Sequence, residues 1–263
     1  MNYINQDYFL PLLDDFYSMT KDLYDCGYDQ GPFIPYTMPL YSESKLKIFY
    51  VGRDTYWWCP YHVLQLAYSK SLLSDYMNAN KNCVDVDKML SWKNNAGAFW
   101  TFVCKLHLFI RTGKYYDDIT DITSHDEEYR LLEEIGYGNL YAIETPETLK
   151  KEERGVWSNI SDIEKYHKIC NAAQSFEKLT SIIEAYNPDV IFIMTWLDKD
   201  SFFEGTDYEW QKNYYEENYR AVYLSKTYKA KIIWTLHPHR FSFLRTNIHE
   251  MCTYLAETLK MLL

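Results

Sequence analysis

Residues 46–58 read LKIFYVGRDTYWW, an apolar run from Leu46 to Val51 that ends abruptly in Gly52-Arg53-Asp54-Thr55-Tyr56. The run is too short for a helix and rich in aromatic and β-branched residues, which predicts a strand buried on both faces. Two further runs have the same character: Asp189–Trp196 (DVIFIMTW) and Lys231–Leu236 (KIIWTL). A weaker strand is expected over Asn139–Ile143, entered through the glycines of GYGN. Between and after these runs, apolar residues recur at helical spacing: Phe99 to Ile110, Ile163 to Tyr186 behind a Ser161-x-x-Glu164 capping box, and Leu244 to Leu262. Buried strands alternating with amphipathic helices imply an α/β fold in three layers, α/β/α, around a short, mainly parallel central sheet. Such sheets carry their sites at the carboxyl ends of the strands.

Composition bounds the rest. The 263 residues hold 27 Lys and Arg against 37 Asp and Glu, a net charge of −10, which argues against grip on duplex DNA mainly through phosphate neutralisation. The acidity is concentrated in residues 117–134 and 198–217, whereas residues 218–250 carry Arg220, Lys226, Lys229, Lys231, Arg240 and Arg245 against Glu250 alone. Cysteines 26, 59, 83, 104, 170 and 252 have no Cys-x-x-Cys pairing, so neither a zinc site nor a disulfide framework is expected, and free thiols suit the cytoplasm. No leader or membrane span is read. With no repeat or linker, residues 1–263 are expected to be one domain, with residues 1–40 as an added N-terminal helix and loop.

Two strand ends carry groups suited to chemistry. Gly52-Arg53-Asp54-Thr55-Tyr56 follows the first strand, and His237-Pro238-His239-Arg240-Phe241-Ser242 follows the last. Alone, Asp54 reads equally as a helix N-cap and His237 as a loop histidine; an acid and a histidine at two strand ends together suggest a site. His237 and His239 form a His-x-His pair without a recognisable third ligand, so no metal is expected. No Gly-x-Ser-x-Gly turn is present for an esterase-like nucleophile.

The GRDTY motif resembles the Gly-Gln-Asp-Pro-Tyr motif of the uracil-DNA glycosylase superfamily, HPHRFS resembles its closing His-Pro-Ser-Pro-Leu-Ser, and PDVIFIMTW is similar to its third strand. Order and approximate spacing agree over residues 46–263. The resemblance implies hydrolysis of the N-glycosidic bond of a damaged or deaminated base in DNA, most expectedly uracil, as in base excision repair. It implies catalytic roles for Asp54, beside the cationic sugar, and for His237, beside the departing base. It further implies that Gly52 and Arg53 line the site, that Tyr56 crowds the base C5 position, and that Phe241 wedges into the stack as the nucleotide flips out. Asn139 reads either as the amide that recognises the base edge or as a turn asparagine. Phe99 or Trp57 is nominated to stack on the base.

Arg53 in place of glutamine, Thr55 in place of proline and His239-Arg240 in place of Ser-Pro depart from the family pattern, so the loop backbones are less constrained and the pocket carries more positive charge. No cofactor is implied, since the cysteines lack the paired spacing of members that hold an iron–sulfur cluster. DNA is the expected partner. The alternative is a catalytically inactive protein of the same fold that binds a nucleic acid or a protein, motivated by the two acidic segments.

Overall fold

The computed structural model describes residues 4–53, 64–65, 85–91, 95–144, 160–195, 200–211, 220–244 and 247–263. Among them, β1 (Tyr36–Thr37), β2 (Ile48–Gly52), β3 (Ile135–Asn139), β4 (Val190–Met194), β5 (Glu209–Trp210), β6 (Arg220–Leu224) and β7 (Lys231–Thr235) form one sheet in the order β1-β3-β2-β4-β7-β6-β5. The helices are α1 (Gln6–Thr20), α2 (Val86–Ser91), α3 (Asn95–Thr112), α4 (Glu127–Leu132), α5 (Ile163–Ala172), α6 (Leu179–Tyr186) and α7 (Ile248–Leu262). The molecule is thus α/β, and the three principal apolar runs are neighbouring strands of one sheet.

β3, β2, β4 and β7 run parallel, in register from Ile48 opposite Ile135 and Val190, and from Val190 opposite Lys231. Every residue of β2 and β4 is buried, as strands covered on both faces require. Adjacent residues of β2 look to opposite sides. Tyr50 stacks on Phe192 and meets His107 of α3, while Phe49 stacks on Tyr186 of α6 with ring centroids 5.5 Å apart. Helical side chains therefore lie against both faces.

The edges differ from the mainly parallel sheet read from the sequence. β1 pairs antiparallel with β3, and β7, β6 and β5 pair antiparallel in turn. The N-terminal segment accordingly supplies both a helix and an edge strand. β6 escapes a hydropathy reading because it opens on a charge: Arg220 is buried, with its guanidinium 3.9 Å from the Tyr254 ring centroid and hydrogen-bonded to Thr258.

Two boundaries also move. The strand expected from Asn139 onward instead ends there, so GYGN is strand interior. Glycine is needed at 136 because a Cβ there would sit 2.2 Å from Phe49 Cδ2. The long helical stripe over 163–186 is broken by a 3₁₀ turn at Ala173–Phe176, after which the buried Glu177 accepts the Ala142 N–H at 2.8 Å. Its opening cap is Asp162, which accepts from the N–H groups of Glu164 and Lys165, rather than Ser161.

Asp189 closes the amino ends of the parallel strands, accepting from Lys47 N and, at 3.0 Å, from Lys229 Nζ. Arg111 works at the same end, bound to Glu134 at 2.8 Å, to Ser44 and to the Leu46 carbonyl. The other end of the strands is where the expected site residues lie.

Candidate active site

The β2–β3 pairing continues past both strands, through Leu140 N to Gly52 O and Tyr141 N to Arg53 O, each at 3.0 Å. Gly52 and Asn139 consequently sit side by side at the carboxyl ends. Asn139 is buried, and its Oδ1 accepts the Tyr137 hydroxyl at 2.7 Å. The two side chains meet because residues two apart on a strand share a face. Gly52 makes room for them: a Cβ at 52 would lie 2.7 Å from Asn139 Oδ1, 3.2 Å from Tyr137 Oη and 3.6 Å from Phe99 Cε2.

Phe99 links this corner to the end of β7. Its ring lies 5.7 Å from that of Tyr137 and stacks on His237 at 5.9 Å and 27°. His237 opens the turn Pro238–Leu244, a tight 3₁₀ segment whose Arg240 N–H bonds the His237 carbonyl at 2.8 Å. Its Nδ1 accepts the backbone N–H of His239 at 3.3 Å. That bond needs the lone pair on Nδ1, so it assigns the proton of the neutral ring to Nε2. Burial pushes the imidazole down to about 3, helped by repulsion from His239 and from the guanidinium groups of Arg53 and Arg240. At neutral pH, His237 is therefore an uncharged Nε2–H donor inside a local cationic field.

Gly52, Arg53, Asn139, His237, His239 and Arg240 are thus gathered at the carboxyl ends of β2, β3 and β7, with Phe99 between them. β2 and β7 are separated by β4 alone, so their ends stand about 10 Å apart, the width a flat ring needs. The arrangement offers hydrogen-bond donors and positive potential around an aromatic ring. It suits a planar ligand with acceptor oxygens that gains negative charge.

Other expectations fare differently. Asp54, Tyr56, Trp57 and Arg245 lie outside the described residues. Phe241, expected as a protruding wedge, is buried with its ring 4.8 Å from that of Phe102 on α3, where it anchors the turn to the core. The basic stretch does not converge on the site: Arg220 is internal, and Lys229 and Lys231 stand at the amino ends of the strands, Lys229 paired with Asp189. His239 and Arg240 are exposed at the site itself. A cavity of about 540 Å³ opens among Lys21, Asp22, Tyr24, Asp25, Tyr28, Asp29 and Gln65, and no expected site residue lines it.

Tyr137 went unread in the sequence, although its place two residues before Asn139 on an apolar strand was the available signal. Among the described residues, no cluster of three or more His, Cys, Asp or Glu side chains is placed to hold a metal ion, and no helix is long and apolar enough to cross a membrane. No family model matches the chain, and no curated protein matches it.

Proposed function

We propose that the protein is a uracil-DNA glycosylase-like enzyme, a three-layer α/β/α domain that hydrolyses the N-glycosidic bond of a deaminated base in DNA, with uracil the base expected. The observation that carries the reading is His237, held neutral with Nε2–H as its donor, beside Phe99 and across from Asn139.

Cleavage leaves an oxocarbenium-like sugar and an anionic base. His237 Nε2–H would donate to the base oxygen on which that charge collects, and Phe99 would lie against the ring. The cationic field of Arg53 and Arg240, which adds to burial in keeping His237 uncharged, would also favour the anionic leaving group. Asn139 would read the base edge. Asp54, next in the chain after Arg53, would counter the cationic sugar and orient the attacking water, and Tyr56 would exclude a C5 methyl group. The water oxygen forms the new bond to C1′ as the C1′–N bond breaks. The bonding pair leaves with the base, and one water proton is ultimately transferred to solvent or to the base.

Cytoplasmic DNA repair is the setting this implies, with DNA as the partner and no cofactor. The test is base release from uracil-containing oligonucleotides, single- and double-stranded, alongside other deaminated and alkylated bases. Release of uracil is expected, and Asp54→Asn and His237→Ala should each slow it on the order of 10² or more while leaving the protein folded. If no base is released where a control glycosylase acts, catalysis is wrong; continued oligonucleotide or protein binding would then favour the inactive binding protein.

A further inference from the structure

We infer that His239 is a stacking platform for an unpaired base, the neighbour along a single strand of the base held at His237, with Arg240 beside it for the intervening phosphate. The identity of the base at His237 rests on the glycosylase reading. The platform itself does not, because every unpaired base has a face to stack.

Three rings form a stack that leads out of the site. Phe99 lies on His237 at 5.9 Å and 27°, and His237 lies on His239 at 5.3 Å and 14°. Exposure rises along the stack, from the buried Phe99 through the half-buried His237 to the exposed His239. One side of the His239 imidazole is taken up by His237, so its exposed surface lies on the outward side. A further flat ring arriving there would extend the column by one member and bury apolar surface on both partners.

The backbone that carries the ring is held before any ligand arrives. Pro238, buried between the two histidines, has its φ fixed by its own ring. The Arg240 N–H bonds the His237 carbonyl at 2.8 Å, and the His239 N–H bonds His237 Nδ1 at 3.3 Å. Phe241 then anchors the turn, its ring 4.8 Å from that of Phe102. Such preorganisation lowers the ordering that a bound base must impose. Phosphate neutralisation alone needs no ring aligned on its neighbour, and Arg240, exposed one residue further on, is available for it. A chain of net charge −10 has little cationic surface for phosphates, and contact with base faces adds affinity that salt does not screen.

Fluorescence anisotropy with two labelled ligands of equal length tests this. A thymidine oligonucleotide offers base faces and no uracil; a chain of abasic deoxyribose phosphates offers the same charge without bases. His239→Ala should weaken binding of the thymidine oligonucleotide about tenfold and change that of the abasic chain by no more than about twofold. His239→Phe restores a flat ring without charge or hydrogen bonds and should bind the thymidine oligonucleotide as the wild type does. Both variants keep the backbone N–H that His237 accepts. Equal losses on the two ligands in His239→Ala would trace the effect to charge or to the fold of the turn and overturn the platform. So would a His239→Phe variant as weak as His239→Ala, or a wild-type protein that does not prefer the thymidine oligonucleotide to the abasic chain. Uracil release is read separately, on a uracil oligonucleotide. If uracil is released while thymidine binding ignores the ring at 239, the platform falls and the glycosylase reading stands. If no base is released while binding follows the ring, the glycosylase reading falls and the platform stands as a single-strand binding site.

Discussion

His237 is uncharged because of where it sits: burial first, then repulsion by its neighbours His239, Arg53 and Arg240, makes the imidazolium unfavourable, and the His239 N–H occupies Nδ1. The consequence for stability has a definite sign. An unfolded chain binds a proton at this histidine near pH 6.5, whereas the folded one does so only near 3, so between those values the unfolded state holds the extra proton and acidification favours it. The neutral fold carries no penalty above pH 6.5, and stability is lost progressively as pH falls toward 3. The buried His107, also held well below the ordinary value, chiefly by burial and then by Arg111, acts in the same direction. His237→Gln should therefore reduce, without abolishing, the loss of unfolding free energy between pH 7 and pH 5 measured by chemical denaturation. A wild-type slope in the variant would mean that His237 titrates normally and does not stay neutral in the site.

At the scale of elements, the strands of the sheet show what hydropathy can and cannot disclose. β2, β4 and β7 are continuous apolar runs and were legible as such, and with them the strand ends that carry Gly52 and His237. β3 was misplaced because two of its five residues are glycines, which weigh against a strand when counted alone. Only the packed structure explains them: the Phe49 ring fills the space over Gly136 and is in turn stacked on Tyr186. β6 was hidden for the opposite reason, a buried arginine whose partners, Tyr254 and Thr258, are more than thirty residues away in sequence. The Tyr137–Asn139 bond was lost with the strand, since neither residue could be placed on a face until the strand was. The glycine argument is testable. Gly136→Ala would put a methyl group 2.2 Å from Phe49 Cδ2 and 2.9 Å from Tyr41 Cε2, with both rings buried and unable to yield. The cost should be about 3 kcal/mol or more, which is a fall in Tm of roughly 6–12 °C by thermal unfolding. A variant as stable as the wild type would show that the ring does not pack over this strand.

At the scale of the molecule, the basic sequence segment is split, among the described residues, between the two ends of the strands. The basic run of residues 218–250 is divided by the antiparallel β6–β7 hairpin: Lys229 and Lys231 are carried to the amino ends, where Lys229 pairs with Asp189, while Arg240 is carried with His237 to the carboxyl ends, where it and Arg53, the residue after β2, both act on the charge of His237. An acidic chain of net charge −10 would thereby keep one small cationic patch where an anionic strand is proposed to bind. Few phosphates can be neutralised by so small a patch, so oligonucleotide affinity should depend on salt only weakly compared with a protein that grips many. Arg240→Gln should lower affinity for a single-stranded uracil oligonucleotide and reduce the slope of log affinity against log salt by roughly 0.7, the share of one phosphate contact on a single strand. Lys229→Gln, which alters net charge by the same amount at the opposite end of the sheet, should leave both unchanged. Equal losses from the two variants would mean that the strand responds to the overall charge of the molecule and not to the carboxyl-end patch, and the placement of the binding site there would have to be given up.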